Sequence, residues 1–133
     1  MRRLAIDVRP GEYAVARLGA AAPVPAGLLD RSDGAFVSVT RTGDELSVVC
    51  PADAVPESAQ AERGWRLLTV RGPLAFTLTG IVAALSSELA AAGVALFGMS
   101  TFDTDHLLVK EADVERAVGA LRSGGHEVHV SDV

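Results

Sequence analysis

The chain carries one short pattern twice. Residues 99–110 read MSTFDTDHLLVK, and a related pattern, VTRTGDELSVVC, occupies residues 39–50. At an offset of 60, Thr40 corresponds to Ser100. In both copies an apolar run enters a polar turn and then resumes, which is typical of a β-hairpin. An internal repeat of this kind indicates one small structural unit that is used twice.

A second correspondence precedes the first along the chain. Gly11 and Gly19 bracket the segment EYAVARL, and Gly72 and Gly80 bracket PLAFTLT at an offset of 61. Two collinear matches are harder to obtain by chance than one. We therefore predict two tandem units, residues 1–64 and residues 65–133. With 133 residues in total, each unit is very small, so we expect the two to share one antiparallel sheet and one core.

Composition excludes several classes of protein. The net charge of −5 and the scattered arginines argue against a nucleic-acid-binding surface, which needs clustered cations. No apolar run approaches the roughly 20 residues that cross a bilayer. The N-terminus lacks the apolar region of a secretory signal, so we expect a cytoplasmic protein without membrane contact.

Cys50 is the single cysteine, which excludes an internal disulfide and a cysteine-based metal cage. The apolar neighbours of Cys50 indicate an inert core residue.

The C-terminal half has strong secondary-structure signals. Apolar residues recur at helical spacing in two segments, with Thr77 or Thr79 as candidate caps of the first helix. Strand signals surround both helices. The predicted order is β-α-β-β-α-β, over residues 67–70, 78–92, 94–100, 106–109, 112–122 and 126–130. Each helix has only one apolar stripe, so both helices must cover the same face of a four-stranded antiparallel sheet.

The N-terminal half has strand signals but weak helix signals. Strands are predicted over residues 4–8, 13–18, 36–40 and 45–50. Two prolines within residues 22–29 allow at most a short helical turn there. Residues 51–64 are polar and interrupted by proline, so they contribute little to a core.

Five segments carry a resemblance that covers nearly the whole chain. They are VSVTRTGDELSVVCP, WRLLTVRGPLAF, the Gly80-Ile81 pair that opens a helix, LAAAGVALFGMSTFDTD and LLVKEADVERAVGAL. The chain resembles the ACT domain family, and within it the tandem-ACT proteins related to the CASTOR-type amino-acid sensors. The resemblance implies an α+β, ferredoxin-like βαββαβ fold with its helices on one face. It also implies a regulatory, non-catalytic protein that binds a small metabolite, commonly an amino acid, where ACT domains meet.

The resemblance also implies which residues contact the ligand. A zwitterion presents an ammonium and a carboxylate, which hydroxyls, a carboxylate and a helix N-terminus can bind. Each position also has a plain structural role available, since glycines shape turns and Asp105 can cap backbone amides. The positions implied are Gly72, Pro73, Gly80, Ile81 and the hairpin from Ser100 to Asp105, of which Ser100, Thr101, Phe102 and Asp105 are taken as ligand contacts. By its own chemistry, the ring of Phe76 can form a wall of the same pocket, so it is taken as a further contact. No cofactor, metal site or catalytic residue is expected.

Two other functions stay open. The repeated hairpins could build a dimer that binds no ligand, and the edge strand at residues 126–130 would favour a homodimer in either case. A small enzyme would need His106 beside Asp105 with Ser100 or Cys50 as nucleophile. Neighbouring residues of a strand point to opposite faces, however, which separates His106 from Asp105. A regulatory protein would also need a protein partner to regulate.

Overall fold

The computed structural model describes residues 3–74 and 80–131. These residues form eight strands, two α-helices and two 3₁₀ turns, at Ala52–Ala54 and Glu111–Asp113. In chain order the longer elements are β1 (Ala5–Val8), β2 (Tyr13–Leu18), β3 (Ser38–Arg41), β4 (Leu46–Pro51), β5 (Gln60–Val70), α1 (Ile81–Ala91), β6 (Leu96–Ser100), β7 (Asp105–Lys110), α2 (Val114–Ser123) and β8 (Glu127–Val130).

The chain divides into two compact units. One, here called the helical unit, comprises Met1–Gly11 and Arg66–Val133; the other, the strand unit, comprises Glu12–Trp65. The division therefore differs from the predicted boundary between residues 64 and 65, because the first eleven residues belong to the helical unit. Strand β5 contributes its first part to the strand unit and its last part to the helical unit.

The sheet of the helical unit has five strands in the order β8-β1-β5-β7-β6. Strand β1 pairs antiparallel with β5, with Ile6 opposite Val70, and parallel with β8, with Ile6 opposite Val128. The prediction of four antiparallel strands was thus incomplete. The N-terminal strand enters between β5 and β8 because its alternating residues Ile6 and Val8, both 0% exposed, complete the apolar face of the sheet.

Both helices cover that apolar face. Helix α1 buries Ile81, Leu85 and Leu89, and α2 buries Ala117, Val118 and Leu121. These residues pack in one cluster with inward-facing strand residues such as Leu68, Leu107, Val109 and Val128. The predicted α+β class and the ferredoxin-like arrangement of helices on one face are confirmed.

The strand unit pairs β3 with β4, β4 with β2, and β2 with the first part of β5. Its apolar cluster contains Ala16, Leu28, Leu46, Val48 and Cys50. Cys50 is 0% exposed, and this burial raises the pKa of its thiol, as expected for an inert core residue. No α-helix lies among the described residues of this unit. Residues 60–64, assigned from sequence to a polar connection, form strand because their backbone pairs with β2.

The repeated pattern does form two antiparallel hairpins. In one, the N–H of Thr42 donates to the carbonyl of Glu45 at 2.9 Å; in the other, Thr101 donates to Thr104 at 2.8 Å. Thr42 therefore occupies the same position in its hairpin as Thr101 does in the other, so the two hairpins superimpose at an offset of 59 residues. This is one residue less than the offset of 60 at which the two sequence patterns match. A slip of one residue exchanges the two faces of a strand, so the sequence offset paired residues of opposite faces.

Most of the second sequence correspondence, PLAFTLT, lies outside the described residues, as do the candidate caps Thr77 and Thr79. Neither α-helix in the described ranges has the length and apolar character needed to cross a bilayer.

Candidate functional site

A cavity of about 320 Å³ lies in the helical unit, between the first turn of α1 and the β6–β7 turn. We call it the hairpin pocket. Its volume falls at the lower end of the range of small-molecule sites. The residues that line it are Leu74, Gly80, Ile81, Val82, Ala83, Ser100, Thr101, Phe102, Asp103, Thr104 and Asp105.

The start of α1 provides backbone donors to this pocket. Gly80 is the N-cap, with φ of 83° and ψ of −2°, a conformation that a side chain would strain. Glycine has no side chain with which to cap the helix, and the first turn holds no acidic residue. The N–H groups of the first turn of a helix lack intrahelical acceptors and carry the positive end of the helix dipole. This end of the pocket therefore favours a negatively charged group.

The β6–β7 turn provides a carboxylate in a fixed position. Ser100 Oγ donates to Asp105 Oδ1 at 2.5 Å, between residues that are directly opposite in the hairpin. The Oδ2 atom of Asp105 has no hydrogen bond within the described part of the chain. A carboxylate held through one oxygen can accept a hydrogen bond from an ammonium group through the other.

Neighbouring residues hold the turn against the end of β5. Thr104 Oγ1 donates to the carbonyl of Val70 at 2.6 Å, and the Leu74 N–H donates to the carbonyl of Asp103 at 2.7 Å. Gly72 allows this close approach, because a Cβ atom there would lie 3.0 Å from the Asp103 carbonyl oxygen. Gly72 and Pro73 do not line the pocket. Gly72 instead packs against the turn that forms the wall of the pocket.

Six of the nine residues predicted from sequence meet in the pocket: Gly80, Ile81, Ser100, Thr101, Phe102 and Asp105. Phe76 lies outside the described residues. Sequence reasoning did not assign Leu74, Val82 or Ala83 to the site. The positions of Val82 and Ala83 in the first turn of α1, directly after Gly80, were a signal that could have identified them.

The arrangement does not resemble a nucleophile with its base. The Ser100 hydroxyl donates to a carboxylate, and the Nδ1 atom of His106 lies 3.1 Å from Thr69 Oγ1. Cys50 is fully buried. Within residues 3–74 and 80–131, no three His, Cys, Asp or Glu side chains are grouped as metal ligands would be.

His106 should make stability depend on pH. Burial lowers the pKa of His106 below its ordinary value of about 6.5, the Asp105 carboxylate opposes this shift and Arg9 adds to it. Below about pH 6.5 the unfolded chain then binds more protons than the folded chain, so acidification costs stability. Between about pH 7 and pH 5, we expect the melting temperature of His106→Gln to fall less than that of the original chain. Parallel curves for the two proteins would contradict this.

Two family models and several known proteins are similar in sequence to this chain. A sequence model of the ACT domain matches residues 60–123, and a second model, of an N-terminal domain, matches residues 11–58. The human protein named cytosolic arginine sensor for mTORC1 subunit 1 is 37% identical over 73 residues, which are 54% of this chain and 22% of that protein. The chain thus spans about a fifth of the length of this curated relative.

Solved structures agree with this assignment. A crystal structure of an Agrobacterium tumefaciens protein is 39% identical with a TM-score of 0.89, over 100% of this chain and 97% of that one. The regulatory subunit of aspartate kinase from Thermus thermophilus shares the fold, with a TM-score of 0.59 at 11% identity, over 90% and 94% of the two chains. With the predicted hairpin and helices in place and an ACT model matched across them, residues 60–123 of the chain belong to the ACT domain family.

Proposed function

We propose that the protein binds a small zwitterionic metabolite, an amino acid, in the hairpin pocket and acts as a regulatory rather than a catalytic module. One observation carries the proposal: the N-terminus of α1, which receives no side-chain cap from the described residues, and the Asp105 carboxylate line the same cavity. The first suits the α-carboxylate of an amino acid and the second suits its ammonium group.

The relatives support a regulatory role. One is named an arginine sensor, and another with the same fold is the regulatory subunit of aspartate kinase. For this chain, arginine is therefore the first amino acid to test. Regulation would follow if the ligand binds one of two conformations more tightly, because a ligand shifts an equilibrium only through such a difference. The regulated partner would then be a protein that recognises one conformation.

The test is a thermal-shift screen against the twenty amino acids, followed by calorimetric titration of any that bind. A ligand at about 100 times its dissociation constant adds roughly 2.7 kcal/mol of stability. Turnover of the bound compound would show that the protein is an enzyme. No stabilisation by any amino acid at millimolar concentration would instead favour a structural role for the hairpins.

Asp105→Asn should weaken binding while the protein stays folded. The substitution keeps the size of the side chain but removes the charge that faces the ammonium group. A hydrogen bond to a charged group contributes about 1.5–3 kcal/mol, so we expect the dissociation constant to rise roughly tenfold to hundredfold. Calorimetry would measure this change.

Asp44→Asn is the matched control. Asp44 occupies the turn of the β3–β4 hairpin and is exposed, so the variant loses the same charge without altering the hairpin pocket. An unchanged dissociation constant in Asp105→Asn, or an equal loss in both variants, would remove Asp105 from the binding site.

A further inference from the structure

The segment that connects β2 to β3 covers the strand unit without forming a helix. It comprises residues 19–37, all of which the structure describes, and we call it the strap. In the helical unit the connection between β5 and β6 holds α1, whereas Pro23 and Pro25 of the strap lack the backbone N–H that a helix requires. The one buried residue of the strap is Leu28, at 4% exposure, which packs in a cluster with Cys50. Helix α1 buries three residues, so the strap is the weaker cover.

The hairpin beneath the strap differs from the other hairpin at one pair of residues. Arg41 and Leu46 correspond to Ser100 and Asp105 at the offset of 59, and each pair is directly opposite across its two strands. Leu46 packs in the same cluster as the strap, so its pair lies on the side of the sheet that the strap covers. A guanidinium and an apolar side chain thus replace the hydroxyl and the carboxylate that line the hairpin pocket.

The Arg41 guanidinium reaches from the β3–β4 hairpin to the start of the strap. Its Nη1 atom donates to the carbonyl of Ala20, and its Nη2 atom donates to the carbonyl of Ala22 at 2.7 Å. Within the described chain, no backbone hydrogen bond joins residues 20–35 to a strand. Arg41 therefore links a hairpin to the start of its covering segment, and the hairpin pocket lies between the two corresponding parts of the helical unit.

We propose that Arg41 is an internal ligand of the strand unit: its guanidinium takes the position of a bound ligand, holds the strap closed and leaves the hairpin pocket as the amino-acid site of the chain. A planar guanidinium presents several donors in a fixed geometry, which suits it to bridge two carbonyls. Leu46 also provides no carboxylate for an ammonium group. The number of amino-acid sites rests on the proposed function, whereas the closure of the strap by Arg41 does not.

Cys50 can report whether the strap is closed. It is the single cysteine of the chain, it is 0% exposed, and it belongs to the same cluster as Leu28. A thiol reagent reaches such a residue only after a local opening, and a segment held by few contacts opens more readily than the whole protein unfolds. When the segment recloses quickly, the rate of Cys50 labelling follows the population of the open form.

Arg41→Ala tests the proposal through labelling of Cys50 at constant pH by an aromatic disulfide reagent that releases a coloured thiolate. The variant should label at least about fivefold faster than the original chain, because the strap loses both hydrogen bonds. Guanidinium chloride at about 50 mM, far below denaturing concentrations, should reverse most of this increase by occupying the vacated position. Sodium chloride at the same concentration should not.

Arg17→Ala is the matched control. Arg17 lies in the same unit and its Nη2 atom donates to the Asp44 carbonyl in the turn of the same hairpin at 3.1 Å, but within the described residues it makes no hydrogen bond to the strap. This variant should label at the original rate, with or without guanidinium. Arg41→Lys keeps the positive charge but not the planar group that bridges both carbonyls, so it should also label faster than the original chain.

Three results would overturn the proposal: an unchanged labelling rate in Arg41→Ala, an equal increase in Arg17→Ala, or an increase that guanidinium does not reverse. If Arg41→Ala is unfolded by circular dichroism, an unchanged rate in Arg41→Lys overturns it instead. Calorimetry of the original chain should give one bound amino acid per chain, and two would contradict the inference. If no amino acid binds, the proposed function fails, while the effect of guanidinium on Arg41→Ala still decides the role of Arg41.

Discussion

A chain that lacks residues 1–9 should lose the folded helical unit. Strand β1 lies inside the sheet, so its removal leaves β8 without its backbone partner and β5 without its partner on one side. Leu4, Ile6 and Val8 are 6%, 0% and 0% exposed, and burial of such a side chain contributes about 1.5–3 kcal/mol. Together these losses approach the whole stability of a small protein, about 5–15 kcal/mol.

Polar contacts of β1 add to this expectation. The Leu4 N–H donates to Nδ1 of the buried His126 at 3.1 Å, and the Asp7 carboxylate accepts two hydrogen bonds of 2.8 Å from Arg71. The Arg71 guanidinium lowers the pKa of Asp7, so this contact persists to a lower pH than it would with an ordinary carboxyl group. Without β1 the His126 acceptor stays buried and unpaired, which costs free energy beyond the lost contact.

Thermal melts followed by circular dichroism would measure the effect of the truncation. We expect the truncated chain to show no cooperative transition from the helical unit. Asp7→Asn and Ile6→Asn in the full chain are the matched pair, because they change neighbouring residues of β1 that point to opposite faces. Only Ile6→Asn should be severely destabilised. A truncated chain that melts as the full chain does would show that β1 is dispensable.

The central position of β1 in the sheet could not be predicted from the sequence. Periodicity identifies elements from a few neighbouring residues, and it located α1, α2 and both hairpins to within a few residues. That a strand at residues 5–8 inserts between residues 66–70 and 127–130 depends on pairing across most of the chain. No local pattern encodes such pairing. The extension of β5 back to Gln60 has the same cause, since β2 supplies its hydrogen bonds.

In the hairpin pocket, too, local neighbours could be predicted from the sequence, whereas contacts between distant segments could not. Ser100 and Asp105 were predictable as neighbours, because a hairpin turn places its two flanking residues opposite one another. Gly80 followed from the start of a helix. Gly72 was predicted to contact the ligand, but the turn it supports comes from a different part of the unit. The packing of one turn against another is a property of the assembled fold.

Leu85→Ala should be strongly destabilising. Leu85 is 0% exposed and belongs to the cluster that joins both helices to the sheet. Removing a buried leucine side chain leaves a cavity and costs about 2–5 kcal/mol, enough to lower the melting temperature by roughly 10 °C. Chemical denaturation followed by circular dichroism would measure the free energy of unfolding directly.

Ser87→Ala, an exposed change on the same helix, is the control and should alter the free energy of unfolding by less than about 0.5 kcal/mol. A loss of similar size in Leu85→Ala would mean that α1 does not bury this face. Because Leu85 lies one turn beyond the residues that line the hairpin pocket, the folded Leu85→Ala protein should bind ligand with nearly the original affinity. Ligand should therefore raise the melting temperatures of the original protein and of Leu85→Ala by similar amounts. This result would separate the role of α1 in the core from the role of its first turn in ligand binding.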